Sequence, residues 1–335
     1  MRMDTLPDLD GLLAMLHTRG SLRASGMSDR AIQTAVRRGE VLRLSPGWFL
    51  TMRDWTERTL VEQHLLRALC AHFRATRAPI FSHETGAAIL GLPLLRFDAA
   101  KVHTLQPRDG RNDSSADVLR HRQDFDERDV HRSGGLLHTS PERTLIDVAR
   151  TSAFEQGIVV GDAVLRRLAG ASRHSQETHR TALIRQLAAL PGTRGHRRAN
   201  RVLRFLDSAA DSPLESLYRL QFARLGFEVR TQAPVRSPSG GVYRMDFELV
   251  GYRTFFEADG RAKYTEAEYR NGKSPDGVLL AEKKREDWVR GTTDYRVLRG
   301  GWSEALTPHA TAAHLRAFGI APPVDPRTRT ILDLH

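Results

Sequence analysis

Four acidic residues between positions 215 and 259 have the types and settings that metal chemistry needs. Glu215 stands in the first turn of a helical pattern. Asp246 interrupts the apolar run Met245-Asp246-Phe247, and Glu257 and Asp259 alternate within Phe255-Phe256-Glu257-Ala258-Asp259-Gly260. Hard carboxylate oxygens hold Mg2+ or Mn2+, and such an ion polarises a phosphate and lowers the pKa of an attacking water. Each residue also has a structural reading. Glu215 is the N3 member of the capping box Ser212-Pro213-Leu214-Glu215, which explains its type without any ligand. Asp259-Gly260 could simply begin a turn. Asp246 is harder to explain structurally, because Asp is a poor strand former. Glu257, between Phe256 and Ala258, has the weakest structural reason to be there.

The elements that must position these groups follow from periodicity. Leu214, Leu217, Tyr218, Phe222 and Leu225 form one face of a helix beginning at Ser212,. Phe227-Glu228-Val229 starts a strand, and Val242 to Val250 pairs with Arg253 to Asp259 across Gly251-Tyr252,. Strand alternation puts Arg253, Phe255, Glu257 and Asp259 on one face, with Asp246 able to approach Glu257 across the ladder. A helix over Asp276 to Arg290, a strand over Tyr295 to Arg299 and a helix over Pro308 to Phe318 complete an α/β sandwich order,.

The chain has 335 residues and a net charge of +11. That length implies two or three domains, and the charge points to a polyanionic partner, because Lys and Arg that displace condensed counterions drive DNA affinity. Cys70, the single cysteine, excludes a disulfide framework and reads as a buried small hydrophobe. No apolar run reaches the length of a membrane span and no charged-then-apolar leader opens the chain, so the expected location is cytoplasmic, with no membrane partner.

Residues 1–52 read as helix (Leu9 to Thr18), helix (Ser21 to Gly26), helix (Asp29 to Arg38, capped by Ser28) and a hairpin around Ser45-Pro46-Gly47, the order of a winged helix-turn-helix. In that reading Ser28, Arg30, Gln33, Thr34, Arg37 and Arg38 face the major groove of double-stranded DNA and Arg43 on the wing meets phosphate. Residues 53–208 read as a middle α/β domain. It has one long helix over Trp55 to Arg77, strands at Ile80-Phe81 and Val102 to Leu105, and helices at Ser82 to Leu90, Arg143 to Arg150, Phe154 to Leu168, Arg180 to Leu190 and Gly195 to Leu206. Pro107 to Ser115 and Ala171 to Glu177 read as loops. Arg194, Arg197, Arg198 and Arg201 could touch backbone phosphate. His83, His103, His121, His131 and His138 scatter without HExxH or paired-helix spacing, and are expected to be structural or phosphate-facing,.

Ser212 to Trp302 resembles the very-short-patch-repair endonuclease-like branch of the PD-(D/E)xK nuclease superfamily. The residues that carry the likeness are Ser212 to Glu215, Asp246-Phe247, Glu257 to Gly260, Lys283-Lys284-Arg285 and Arg299-Gly300-Gly301-Trp302. The N-terminal part resembles the winged-helix domain of AbiEi-type antitoxins of type IV toxin–antitoxin systems, through Ser28 to Gly47, Ser82-His83-Glu84, Gly91-Leu92-Pro93 and Arg143 to Asp147. The resemblances imply a multidomain α/β protein: a winged helix-turn-helix, a middle α/β domain, a restriction-endonuclease-like α/β sandwich over 209–320 and a tail over 321–335. They imply Asp246 and Glu257 as Mg2+ ligands, with Glu215 auxiliary. Asp259 stands where the superfamily usually has lysine, and Lys263, Lys284 or Arg285 could supply the missing cation. The expectation is a DNA-directed endonuclease. The alternative is a non-enzymatic repressor or antitoxin with a degenerate nuclease fold, capable of self-association and of binding a cognate toxin.

Overall fold

The computed structural model describes residues 6–109, 114–170, 172–190, 194–260 and 275–328. It is a mixed α/β chain with three sheets among the described residues, and it divides into two compact units. One holds Asp4–Val160 and Arg185–His196, the other chiefly Gly161–Ile184 and Arg197–His335.

The first unit opens with α1 (Leu9–Ala14), whose N-terminus Asp8 caps by accepting from the Gly11 amide at 2.9 Å. The helix expected to reach Thr18 ends early, because His17–Thr18 forms a short strand β1 paired with Phe49 and Trp48. Then come α2 (Arg19–Ala24), α3 (Asp29–Arg37) and the hairpin β2 (Val41–Ser45) and β3 (Trp48–Thr51), in sheet order β1-β3-β2. Leu22, Ile32 and Phe49 form a small core under α2 and α3. Leu9, Leu12, Leu16 and Leu50 join a larger core with Leu65, Leu66 and Leu69.

The single helix expected over Trp55 to Arg77 is two, α4 (Met52–Thr56) and α5 (Leu60–Arg74). Thr59 restarts the chain as an N-cap: its amide donates to Glu62 at 2.7 Å while its hydroxyl accepts from the Glu62 amide,. β4 (Ile80–Phe81), α6 (His83–Ile89), β5 (Val102–Gln106), β6 (Val118–Arg122), β7 (Val130–Ser133) and β8 (Leu136–Thr139) follow, giving a sheet ordered β6-β5-β4-β8-β7. β6, β7 and β8 are not expected from the sequence. Their arginines and histidines hide the apolar alternation that marks a half-buried strand.

α7 (Pro141–Thr151), capped by Ser140 with proline at N1, carries a buried charge network. The Arg143 guanidinium donates to Asp147 at 3.1 Å and to Asp129 at 3.0 Å. Arg150 lies 3.7 Å from the other Asp147 oxygen. Burial pushes the Asp147 carboxyl up against the pull of both arginines.

α8 (Phe154–Ala169) and α9 (Arg173–Ala189) cross between the two units in sequence. α9 begins at Arg173, inside the stretch read as a loop. The second unit continues with α10 (His196–Phe205), α11 (Pro213–Arg224), β9 (Val229–Arg236), β10 (Val242–Leu249), β11 (Thr254–Ala258), α12 (Pro275–Thr292), β12 (Arg296–Gly300), α13 (Trp302–Ala305) and α14 (Pro308–Ala317). Its sheet order is β12-β11-β10-β9, with β11 and β12 parallel. Such a pair needs a crossover, which α12 supplies. On one side Tyr218 and Phe222 of α11 pack on Phe256, tilted and edge-on, with ring centroids 4.6 and 5.1 Å apart. On the other, Val289 of α12 packs with Phe255, Met245 and Val297. Gly300 is required at the end of β12, because a Cβ there would lie 2.2 Å from the Tyr218 hydroxyl. Arg219 ties α11 to α8: one guanidinium nitrogen reaches both Asp162 oxygens at 2.9 Å.

Removing Asp147 leaves Arg143 and Arg150 buried without their shared acid. Asp147→Ala is expected to cost about 3–5 kcal/mol of unfolding free energy, measured by urea denaturation. A loss under about 1 kcal/mol, the range of an exposed pair, would show that the network carries no such weight.

Candidate functional site

The β10–β11 ladder ends at Phe247 opposite Phe256, and just beyond it stand Asp246 and Glu257, near enough for the charge of Asp246 to act on Glu257. An Asp246 oxygen accepts the Ala258 amide at 2.8 Å, which fixes the carboxylate beside the β11 backbone. Phe255 and Glu257 look toward α12, where Arg285 donates to Glu257 Oε2 at 3.1 Å and to the Arg244 carbonyl at 3.3 Å. Glu257 Oε1 is buried with no hydrogen-bond partner among the described residues. Burial first, and then the charge of Asp246, pushes the Glu257 carboxyl up to about 7, against the opposing pull of Arg285,.

Asp259 continues the same line. Its carboxylate lies 3.6 Å from Arg299, and Arg299 also donates to Glu286 of α12 at 2.8 Å. Asp259, Arg299, Gly300, Gly301, Trp302, Ser303, Glu304 and His314 line a cleft of about 490 Å³. The Arg299 to Trp302 run thus forms a wall beside Asp259, with the Trp302 side chain exposed.

Glu215 is held differently. One of its oxygens accepts from the Ser212 hydroxyl at 2.8 Å, and the other from the Asp211 amide at 2.8 Å and the Gln232 amide group at 3.3 Å. The capping reading therefore accounts for most of its bonding, and the carboxylate is buried. Gln232 connects it to the sheet. Its neighbours Thr231 and Ala233 pair with Phe247 and Met245, which sets Gln232 beside Asp246, with a left-handed φ of 51°. Gln232 was missed in the sequence, since nothing in Arg230-Thr231-Gln232-Ala233 marks a residue that bridges helix and sheet. Arg299 was part of a motif, but its pairing to Glu286 and Asp259 joins residues far apart in sequence. Lys263 lies outside the described residues. Of the two alternatives for its role, Lys284 is exposed and Arg285 reaches Glu257.

In the first unit Ser28, Arg30, Gln33, Arg37, Arg38 and Arg43 are exposed, and Thr34 is half-buried. Ser28 caps α3 by accepting the Ala31 amide, and Arg37 donates to Thr34 at 3.2 Å. Contrary to expectation, the histidines are not all scattered, because His83, His103 and His121 converge from α6, β5 and β6. No spacing rule signals this, since each comes from a separate element. Cys70 is buried as expected, and burial pushes its thiol up to about 12. No helix among the described residues is long and apolar enough to cross a membrane.

No family model matches the chain. It is similar to uncharacterized proteins of two Mycobacterium tuberculosis strains, MT2308 of CDC 1551 and Rv2248 of H37Rv. Each is 28% identical over 162 residues, covering 48% of this chain and 53% of the relative. The chain thus spans about half the length of the curated relatives it matches. Among solved structures, the RV2827C protein from Mycobacterium tuberculosis aligns with 71% of this chain and 91% of its own, at 18% identity and a TM-score of 0.35.

The raised Glu257 pKa has a pH signature. Between the ordinary 4.5 and about 7 the folded state binds more protons than the unfolded one. The stability linked to this group is therefore fully present below the lower value and is lost as pH rises through the upper. Urea unfolding in chelator-containing buffer at pH 5, 6, 7 and 8 is expected to show that decline in the wild type. It should flatten in Glu257→Gln, and parallel curves for the two proteins would assign the slope to other groups.

Proposed function

We propose that this protein is a DNA-binding, Mg2+- or Mn2+-dependent phosphodiester hydrolase. The observation that carries the reading is the buried Glu257 Oε1, which lacks a hydrogen-bond partner among the described residues and stands next to the Asp246 carboxylate. Two neighbouring carboxylates repel, and a buried oxygen left unpaired is costly, so the pair suits a hard cation. Asp246 and Glu257 would hold the ion, with Glu215, held by Gln232, as an auxiliary group. Bound there, the ion would polarise a phosphate and acidify a water.

The chain's own groups have separate tasks. The Ala258 amide fixes the aim of Asp246. Arg285 steadies Glu257 from α12 and leaves the second carboxylate oxygen unused. Asp259, Arg299 and Trp302 line the adjoining cleft, where the guanidinium suits a phosphate and the indole a base face. The exposed cations of α3 and the β2–β3 hairpin suit duplex DNA, read as a winged helix-turn-helix. The net charge of +11 suits the same polyanion.

A specific observation favours a second reading, a non-enzymatic repressor or antitoxin that self-associates or binds a cognate toxin. Asp259 occupies the position of the usual lysine and is paired with Arg299, and Arg285 already offsets the charge of Glu257. In that reading the sandwich binds without cutting.

Supercoiled plasmid incubated with protein and Mg2+ or Mn2+ separates the two. Nicking by the wild type that drops to background in Asp246→Ala and Glu257→Ala is the expected result, and equal nicking by all three proteins removes the mechanism. DNA binding is tested separately with the Arg37→Ala, Arg38→Ala double variant. The slope of log K against log salt is expected to shrink by about 0.9 for each phosphate that the variant no longer neutralises. An unchanged slope would take both arginines out of the interface.

A further inference from the structure

In the unit that lacks the carboxylate pair, three histidines meet where β4, β5 and β6 end near α6. His83 follows β4 directly, and the Ser82 amide donates to the His103 carbonyl at 3.1 Å, joining the two strands at that level. β5 and β6 run parallel, with His103 beside Leu119 and Leu105 beside His121. The rings therefore approach on the diagonal: His103 Nδ1 lies 3.0 Å from His121 Nε2. The His83 and His121 rings stack with centroids 3.6 Å apart. One ring nitrogen from each histidine falls within 4.8 Å of the other two.

Two features show that hydrogen bonding leaves this cluster incomplete. His83 is fully buried, and its Nδ1 is engaged by the Ser82 hydroxyl at 2.9 Å, while its Nε2 has no hydrogen-bond partner among the described residues. Glu84, the next residue, turns Oε1 to the Ser152 hydroxyl and leaves Oε2 buried without a hydrogen bond from them, 3.5 Å from His103 Nδ1. Orphaned buried donors and acceptors each carry a desolvation penalty, and native structures keep few of them without a ligand or function. His83 also adopts a left-handed φ of 52°, a conformation that is strained for a non-glycine residue.

We propose that His83, His103 and His121 form a site for a divalent transition-metal ion of the zinc class, with a water completing the coordination,. Three imidazole nitrogens suit Zn2+ and its neighbours rather than Mg2+ or Ca2+. Tetrahedral zinc with nitrogen ligands holds them roughly 3.3 Å apart, close to the 3.0 Å between His103 Nδ1 and His121 Nε2, while the His83 ring, now stacked face to face on His121, must turn its edge to the ion. The facing cations are Arg143 and Arg150, and both are paired with Asp147. The ion would join α6, β5 and β6 by a cross-link in addition to the chain itself.

The test uses the full chain, stripped with chelator and titrated with Zn2+ and Co2+, with bound metal counted by elemental analysis. Wild type and Glu257→Gln are both expected to hold one equivalent with a raised Tm, since the C-terminal carboxylates play no part in this site. His103→Gln and His121→Gln are expected to lose the metal and the Tm rise, whereas the control His131→Gln keeps both. Wild type without stoichiometric metal, or histidine variants that retain it, would overturn the proposal. Loss of the metal in Glu257→Gln alone would overturn it too, assigning the ion to the carboxylate pair. Should the histidine variants fail to fold, the visible spectrum of Co2+-loaded wild type decides. Intense tetrahedral ligand-field bands support the site, and the weak spectrum of an octahedral oxygen-bound ion overturns it.

Discussion

Two carboxylates side by side on neighbouring strands, Asp246 and Glu257, need a positive charge near them, and much of the C-terminal unit is arranged around that need. The ladder between β10 and β11 brings them together, and the Ala258 amide takes one oxygen of Asp246. The compensating cation must then come from the face toward which Glu257 looks. α12 carries it as Arg285. Val289, one turn further along the same helix, packs against Phe255 and so sets the depth at which the helix lies on the sheet. The same crossover delivers Glu286 to Arg299, whose other contact is Asp259. Charge pairing and apolar packing thus act through one helix, and moving that helix would disturb both.

Buried ion pairs recur as fastenings in each unit. In one, Asp147 lies between Arg143 and Arg150, and Asp129 beyond β6 joins the same guanidinium as Asp147. In the other, Asp162 accepts both Arg219 and the Asp207 amide, while the Arg219 guanidinium lies 4.1 Å from the centre of the Phe205 ring. These pairs add little net stability compared with apolar side chains of the same shape. Their geometry is demanding, however, and it pins helices to chain segments distant in sequence.

The parts of this structure legible in the sequence are those governed by local chemistry. Ser212-Pro213 announced α11, Ser140-Pro141 announced α7, and the hairpin turn at Gly251-Tyr252 announced the pairing of β10 with β11 that ends beside Asp246 and Glu257. Local rules failed where distant partners decide. His17–Thr18 looks helical until β3 offers it hydrogen bonds. The capping box at Thr59 was written in the sequence, yet continuous apolar spacing concealed it. β6 and β7 carry basic side chains at positions where a strand signal would be apolar. The histidine cluster is the extreme case, because its members come from three elements and only the folded sheet brings them within reach of one another. The role of Glu215 was read from its capping position, and its second tie, to Gln232, depends on a left-handed residue that propensity disfavours.

The missing side chain at Gly300 has a mechanical consequence. Helix α11 rests on the sheet through Tyr218, whose hydroxyl also reaches the Gly301 carbonyl at 2.8 Å. The space that a methyl group would fill at Gly300 is taken by that ring and by Phe256. The separation between helix and sheet is therefore set by the thickness of aromatic rings, with a hydrogen bond opposing withdrawal and van der Waals contact opposing approach. Such a spacer works like a gauge block. It holds the start of α11, and with it Glu215, at one height above β9 and β10, so that adjustment there must come from rotation of side chains and not from travel of the helix.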